Sequence, residues 1–230
     1  WIFGYNNGDI KDNASYSIVN SLQNVHITND KNISPYAFYN LQNVDYVSLG
    51  DTIETIGEYA FANNNTLSVV RFADGYRMTT VSNNLFQNAT ALQGFNLGGN
   101  VSDTKDTTAI VRRLPDCVTT IGEYAFSNTS NMVTFTFDDV CQIATLSEGT
   151  FKNAIKLQMT TLPDSFTRVE KYAFENCQFI TEFTLGNNVE YVGEAVFRGA
   201  TRLATLTIPF VGSSQGLVTI DKSYETMFGW

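Results

Sequence analysis

The sequence predicts an α/β solenoid, short strands and single helical or 3-10 turns wound coil upon coil around one core. Three observations predict it. A phenylalanine recurs at Phe38, Phe61, Phe86, Phe126, Phe151, Phe174 and Phe197, at steps of 23, 25, 40, 25, 23 and 23 residues. With each Phe as position 0, small or apolar residues recur at positions 3, 6, 9, 11, 15 and 18; after Phe174 these are Cys177, Ile180, Phe183, Leu185, Val189 and Val192. The spacing also changes inside each unit, from helical to alternating, as a coil of mixed structure requires.

Each element follows from that pattern. Positions 0, 3 and 6 have helical spacing but are too brief for a full helix, so they predict one helical or 3-10 turn, as in Tyr172-Ala173-Phe174-Glu175-Asn176-Cys177. Positions 9 and 11 alternate with polar neighbours, which predicts a short strand with one buried face. Asp51, Asp74, Asp139, Asp164 and Asn187 at position 13 mark a turn leaving that strand. Positions 15 and 18 form a second short extended piece leading back to Phe. Units opening at Phe61 and Phe126 carry two extra residues after position 11, and a degenerate unit opens at Tyr16, which makes eight. One unit has too little apolar surface to offset the entropy of ordering it. Stacking on its neighbours completes the core and pairs the strand edges. The phenylalanine column is therefore expected inside.

The repeated Ile56-Gly57-Glu58-Tyr59-Ala60-Phe61 and Ile121-Gly122-Glu123-Tyr124-Ala125-Phe126, with Leu114-Pro115-Asp116-Cys117-Val118 and Leu162-Pro163-Asp164-Ser165-Phe166, resemble the signature of the BspA-like, or treponemal-type, leucine-rich repeats. The resemblance runs from about Leu22 to Phe210. It implies a right-handed leucine-rich-repeat superhelix with a parallel sheet on one curved face. It further implies a secreted or surface-attached protein that adheres to host matrix proteins or other cells, with no catalytic residues shared across the family.

The register crosses the chain without a linker, so residues 1–230 are expected to form one domain. Ile2-Phe3-Gly4-Tyr5 and Met227-Phe228-Gly229-Trp230 share a hydrophobic-Phe-Gly-aromatic pattern, and neither an initiator Met nor a signal peptide is present. The chain is therefore expected to be a segment of a longer array. With a net charge of −9 and only 16% charged residues, it lacks the basic stripe that nucleic acid requires. The same balance disfavours anionic membrane surfaces. No apolar run approaches a membrane span.

The register breaks once. Phe86 to Phe126 spans 17 residues more than one 23-residue unit, and the excess lies at about 98–113. Insertions in repeat proteins map to loops on one face, often the binding face. This one carries Arg112 and Arg113, an adjacent basic pair in an acidic chain. It reads as a ligand-contacting loop, or else as a tolerated surface excursion.

The outward strand position between 9 and 11 reads His26, Ser48, Arg71, Asn96, Thr136, Thr161, Thr184 and Thr207, flanked by Tyr46, Thr134 and Glu182. This hydroxyl-rich strip suits a protein or a glycan. The candidate binding surface is thus Tyr46, Ser48, Arg71, Asn96, Arg112, Arg113, Thr136, Thr161, Thr184 and Thr207. His26 is the single histidine, so neither a zinc site nor a Ser-His-Asp arrangement is expected. No catalytic residue, metal or cofactor is assigned. The position-13 carboxylates read as turn caps, or as a Ca²⁺ ladder if carbonyls join them. Cys177 reads as a small buried hydrophobe. Cys117 and Cys141 lie in turns of adjacent coils, and the alternatives are a disulfide and two separate thiols. Asn13, Asn32, Asn64, Asn88, Asn100 and Asn128 open glycosylation sequons.

The functional expectation is a non-enzymatic, secreted or surface-displayed protein that binds another macromolecule, either a protein or a glycan. One rival is a structural spacer presenting another domain. The other is a polysaccharide-active solenoid enzyme, which needs a cluster of acidic and basic residues on one strand face.

Overall fold

A computed structural model describes residues 21–100, 104–138 and 140–210. The terminal Phe-Gly motifs, the start of the Tyr16 unit, Asn13 and Asp139 lie outside them. In chain order the strands are β1 (Asn24–Ile27), β2 (Asn32–Ile33), β3 (Tyr46–Leu49), β4 (Thr55–Ile56), β5 (Val69–Phe72) and β6 (Thr80–Val81). They continue with β7 (Gly94–Leu97), β8 (Thr120–Ile121), β9 (Thr145–Leu146), β10 (Arg168–Val169), β11 (Glu182–Thr184), β12 (Tyr191–Val192) and β13 (Thr205–Thr207).

Two strand ladders run along the stack. The longer strands pair in the order β1-β3-β5-β7, all parallel, and again as β11-β13. Their register joins equal repeat positions, as in His26 with Ser48, Ser48 with Arg71 and Arg71 with Asn96. The two-residue strands at positions 17 and 18 make the second ladder, in the groups β2-β4, β6-β8 and β12-β10-β9. The second short strand holds in these coils, whereas the strand at positions 9 and 11 is interrupted in the Phe126 and Phe151 coils, where 134–137 form none and Thr161 makes only an isolated bridge to Thr184.

The predicted α/β class and its helical turn are corrected: the described residues form a parallel β-solenoid with neither α-helix nor 3-10 helix. The cause is a pair of left-handed residues on either side of each marker Phe. Position −2 holds Tyr59 at φ 58° or Tyr124 at φ 53°, and position 2 holds Asn63 at φ 59° or Asn128 at φ 62°. A right-handed run cannot pass through such residues. Alternate amides turn outward instead and bond the next coil. Tyr124, Phe126 and Asn128 donate to the carbonyls of Glu148, Thr150 and Lys152, and Tyr172, Phe174 and Asn176 to those of Glu194, Val196 and Arg198. The segment read as a helical turn is a third inter-coil ladder.

The marker rings stack inside it. Phe38, Phe61, Phe86, Phe126, Phe151, Phe174 and Phe197 are buried. Neighbouring centroids lie 5.3 to 6.0 Å apart, with ring planes 7° to 17° from parallel. Position 3 closes the core under the rings. Asn64 there is fully buried, accepting from the Leu41 amide at 2.6 Å and donating to the Phe38 carbonyl at 2.9 Å. Cys177, equally buried, sets its thiol 3.1 Å from the Phe151 carbonyl, and burial pushes that thiol's pKa up.

The position-2 asparagines form a ladder of their own. Asn88 donates to Asn63, Asn128 to Asn88, Asn153 to Asn128 and Asn176 to Asn153, each from Nδ2 to Oδ1 at 2.5–2.8 Å. Asparagine suits the site twice, tolerating the left-handed backbone and carrying both a donor and an acceptor. The row stops at Gly199, where a Cβ would collide with Asn176 Oδ1. Asn64, Asn88 and Asn128 are therefore structural amides.

Candidate binding face

The insertion folds back over the strand ladder. Arg71 of β5 is 8% exposed, and its guanidinium donates to Tyr46 Oη at 2.7 Å and to the Gly98 carbonyl at 2.7 Å. Its second terminal nitrogen lies 3.4 Å from the Thr104 carbonyl. Asn96 of β7 donates to the carbonyls of Asp106 at 2.9 Å and Ala109 at 3.1 Å. Asp106 shapes the loop by accepting from Thr108 Oγ1 at 2.7 Å and from the Thr108 and Ala109 amides. Those bonds hold its carboxyl below the usual range. At the loop's far side, Lys105 pairs with Asp45. Burial alone would raise the Asp45 pKa, but hydrogen bonds from Lys105 and Ser68 outweigh it and lower the value.

The end of the insertion enters the sheet. Phe95 and Val111 exchange backbone hydrogen bonds of 2.9 and 2.8 Å in an antiparallel bridge. On its other side, the Arg112 carbonyl accepts from the Thr136 amide at 2.7 Å. One inserted rung thus stands between β7 and the next coil, while the Phe86–Phe126 stack and the β6-β8 pairing pass it unbroken. Gly94 permits this approach, since a Cβ there would lie 2.5 Å from the Val111 carbonyl oxygen.

The ten sequence-predicted residues are divided by this loop. Tyr46, Ser48, Arg71 and Asn96 are buried, so the outward position of β3, β5 and β7 is not an open strip. Arg113 is half-buried, paired with Asp116 and 3.6 Å from Asp138. Arg112 is exposed and joins the remaining four through Thr136. Thr136, Thr161, Thr184 and Thr207 are all exposed on successive coils. Thr161 bridges Thr184 in parallel, its Oγ1 3.2 Å from the Thr184 carbonyl, and Thr184 pairs in register with Thr207.

Sequence spacing missed one contact. His26 Nδ1 lies 2.7 Å from Ser48 Oγ, with the ring edge-on to Tyr46 at 5.9 Å. Parallel register alone produces it, because the two residues are β-sheet partners. Ser48 is fully buried, which closes its hydroxyl to a substrate. Among the described residues, no group of three or more His, Cys, Asp or Glu is placed to hold a metal ion. Cys117 and Cys141 are both free thiols, half-buried, with Cys117 Sγ 3.4 Å from the Met78 carbonyl. No helix is long and apolar enough to cross a membrane among the described residues.

The sequence profile of the BspA-type leucine-rich repeat region matches residues 8–110 and 107–216, in six copies. This chain belongs to the BspA-type leucine-rich repeat family. Among solved structures, this BspA-type chain is similar to a leucine-rich repeat protein from Bacteroides ovatus, with a TM-score of 0.53, 23% identity, and coverage of 73% of this chain and 44% of that one. It is also similar to a leucine-rich cell surface protein from Faecalibacterium prausnitzii, with a TM-score of 0.52, 15% identity, and coverage of 91% and 63%. At those identities the likeness is one of fold. The chain spans less than two thirds of the length of either. Among curated proteins none matches it.

Proposed function

We propose that this BspA-type chain is a non-enzymatic, secreted or cell-surface repeat scaffold that adheres to another protein through the uncovered part of its strand face. The observation that carries the reading is the row Arg112, Thr136, Thr161, Thr184 and Thr207, exposed beside the insertion and ordered coil by coil. A rigid row of hydroxyls gives a protein partner hydrogen-bond donors and acceptors at little entropic cost. Coils spaced about 4.8 Å apart set these side chains in a row of about 20 Å, beside which the loop's outer surface extends the face toward the area a standard interface takes. The cell-surface neighbour and the acidic, weakly charged composition support an extracellular setting.

The test is binding to immobilised matrix and cell-surface proteins by the wild type and by Thr161→Arg and Thr184→Arg, with Arg112→Ala as a third variant. The expected result is at least a tenfold loss for the two arginine variants at unchanged thermal stability. A partner that binds wild type and all three variants alike would move the site elsewhere.

A further inference from the structure

A second surface lies on the side of the solenoid that carries the asparagine ladder. A groove of about 430 Å³ runs along it, with Asn128, Asn153 and Asn176 on its floor. Ser130, Ile155 and Gln178 line it from position 4 of the same coils, and Thr90 closes one end. None of these side chains is charged. The ladder uses one amide hydrogen and one Oδ1 lone pair of Asn128 and of Asn153. A primary amide has two hydrogens and two lone pairs, so the ladder leaves each of these groove-lining residues one donor and one acceptor. Ile155, 37% exposed, adds an apolar patch.

The groove thus repeats one chemical offer per coil, beside rings that follow one another at 5.6 to 5.8 Å. An extended peptide advances about 3.3 Å per residue and falls out of step with such a row. A linear sugar chain linked across opposite ring carbons advances by close to one coil per ring. It carries hydroxyls that both donate and accept, and its ring faces are apolar enough to lie on Ile155. We propose that the groove binds a linear, uncharged polysaccharide in extended form, one sugar per coil over the four coils from Thr90 to Gln178. This site is on a different ladder from the threonine row and stands independently of it.

The test is calorimetric titration of the 230-residue chain with cello- and xylo-oligosaccharides of two, four and six sugars. Affinity should rise at least tenfold from two sugars to four in one series and flatten beyond that. Ser130→Leu, which pushes bulk into the groove, should weaken the four-sugar ligand at least tenfold. Ile155→Ser, which removes the apolar patch, should weaken it several-fold. Both variants should fold, since an aliphatic and a serine each already occupy position 4 of a neighbouring coil. Thr161→Arg should leave sugar binding unchanged, which separates this site from the threonine face. Absence of binding in both series, affinity indifferent to length, or affinity untouched by both groove variants would overturn the proposal. So would an extended peptide that competes the sugars away.

Discussion

Replacing Asn153 with alanine probes the amide ladder at a point where it is complete on both sides. Asn153 donates to Asn128 at 2.8 Å and accepts from Asn176 at 2.7 Å, at a φ of 59°. Losing two hydrogen bonds costs about 0.5–1.5 kcal/mol each. Alanine in the left-handed region adds about 1–2 kcal/mol, part of which asparagine already pays. Asn153→Ala should therefore lower stability by about 3 kcal/mol, which is a large share of a typical folding free energy. Asn153→Gly loses the same two bonds but fits the backbone, so it should cost about 2 kcal/mol. Gly199 is the native precedent for glycine at this position. Urea unfolding followed by circular dichroism measures both, compared through midpoints at a common slope. An alanine variant within about 0.5 kcal/mol of wild type would refute the ladder as a source of stability, and a glycine variant less stable than the alanine one would refute the backbone share of the cost.

Three further outcomes follow from the same structure. Arg71→Met removes the bonds that hold the insertion to β5, so residues 104–110 should exchange amide hydrogens and be cut by protease at least tenfold faster, with the phenylalanine stack still protected. Gly94→Ala puts a methyl 2.5 Å from the Val111 carbonyl oxygen and should cost about 1–3 kcal/mol, as overpacking does, with the thermal midpoint as readout. The carboxyls of Asp45 and Glu175 are held below their ordinary values; for Glu175 burial pulls the other way, and hydrogen bonds and charges from Lys152 and Arg198 win. Their contribution is complete above the unfolded-state values of about 4 and disappears as pH falls through the lower folded-state values. Thermal midpoints should therefore drop on acidification below about pH 4, and Asp45→Asn with Glu175→Gln should flatten that drop.

The sequence made the solenoid legible because its core is one column of side chains read out at a nearly fixed step. Phe126 and Phe151 announce their stacking by spacing alone, and Phe183 and Leu185 announce a strand by alternation. Backbone handedness was harder to see. The threefold spacing of Phe174, Cys177 and Ile180 imitates a helix, and only the φ values of Tyr172 and Asn176, 61° and 59°, exclude one. The signal existed, since Asn63, Asn88, Asn128, Asn153 and Asn176 each follow the marker Phe by two residues, and asparagine is the residue that best tolerates that region after glycine. The candidate face was half legible. Register located the insertion and the outward row, but the direction in which the insertion folds depends on contacts far apart in sequence. Arg71 with Thr104 and Asp45 with Lys105 are of that kind, and so Arg71 and Asn96, outward by register, are anchors rather than exposed contacts.

The rung formed by Phe95 and Val111 bears on how such arrays can diversify. A coil here has been lengthened by 17 residues without separating from its neighbours, because the added chain returns with the Val111 amide and carbonyl for one edge and the Arg112 carbonyl for the other. Growth at that corner leaves the aromatic spine and the opposite ladder in place. Lengthening within the Phe turn would instead shift every ring and amide out of line with the coils on both sides. In this chain the insertion and the two-residue extensions of the Phe61 and Phe126 units all fall at that same corner, just after the longer strand position, so its departures from the 23-residue step gather on one edge of the coil.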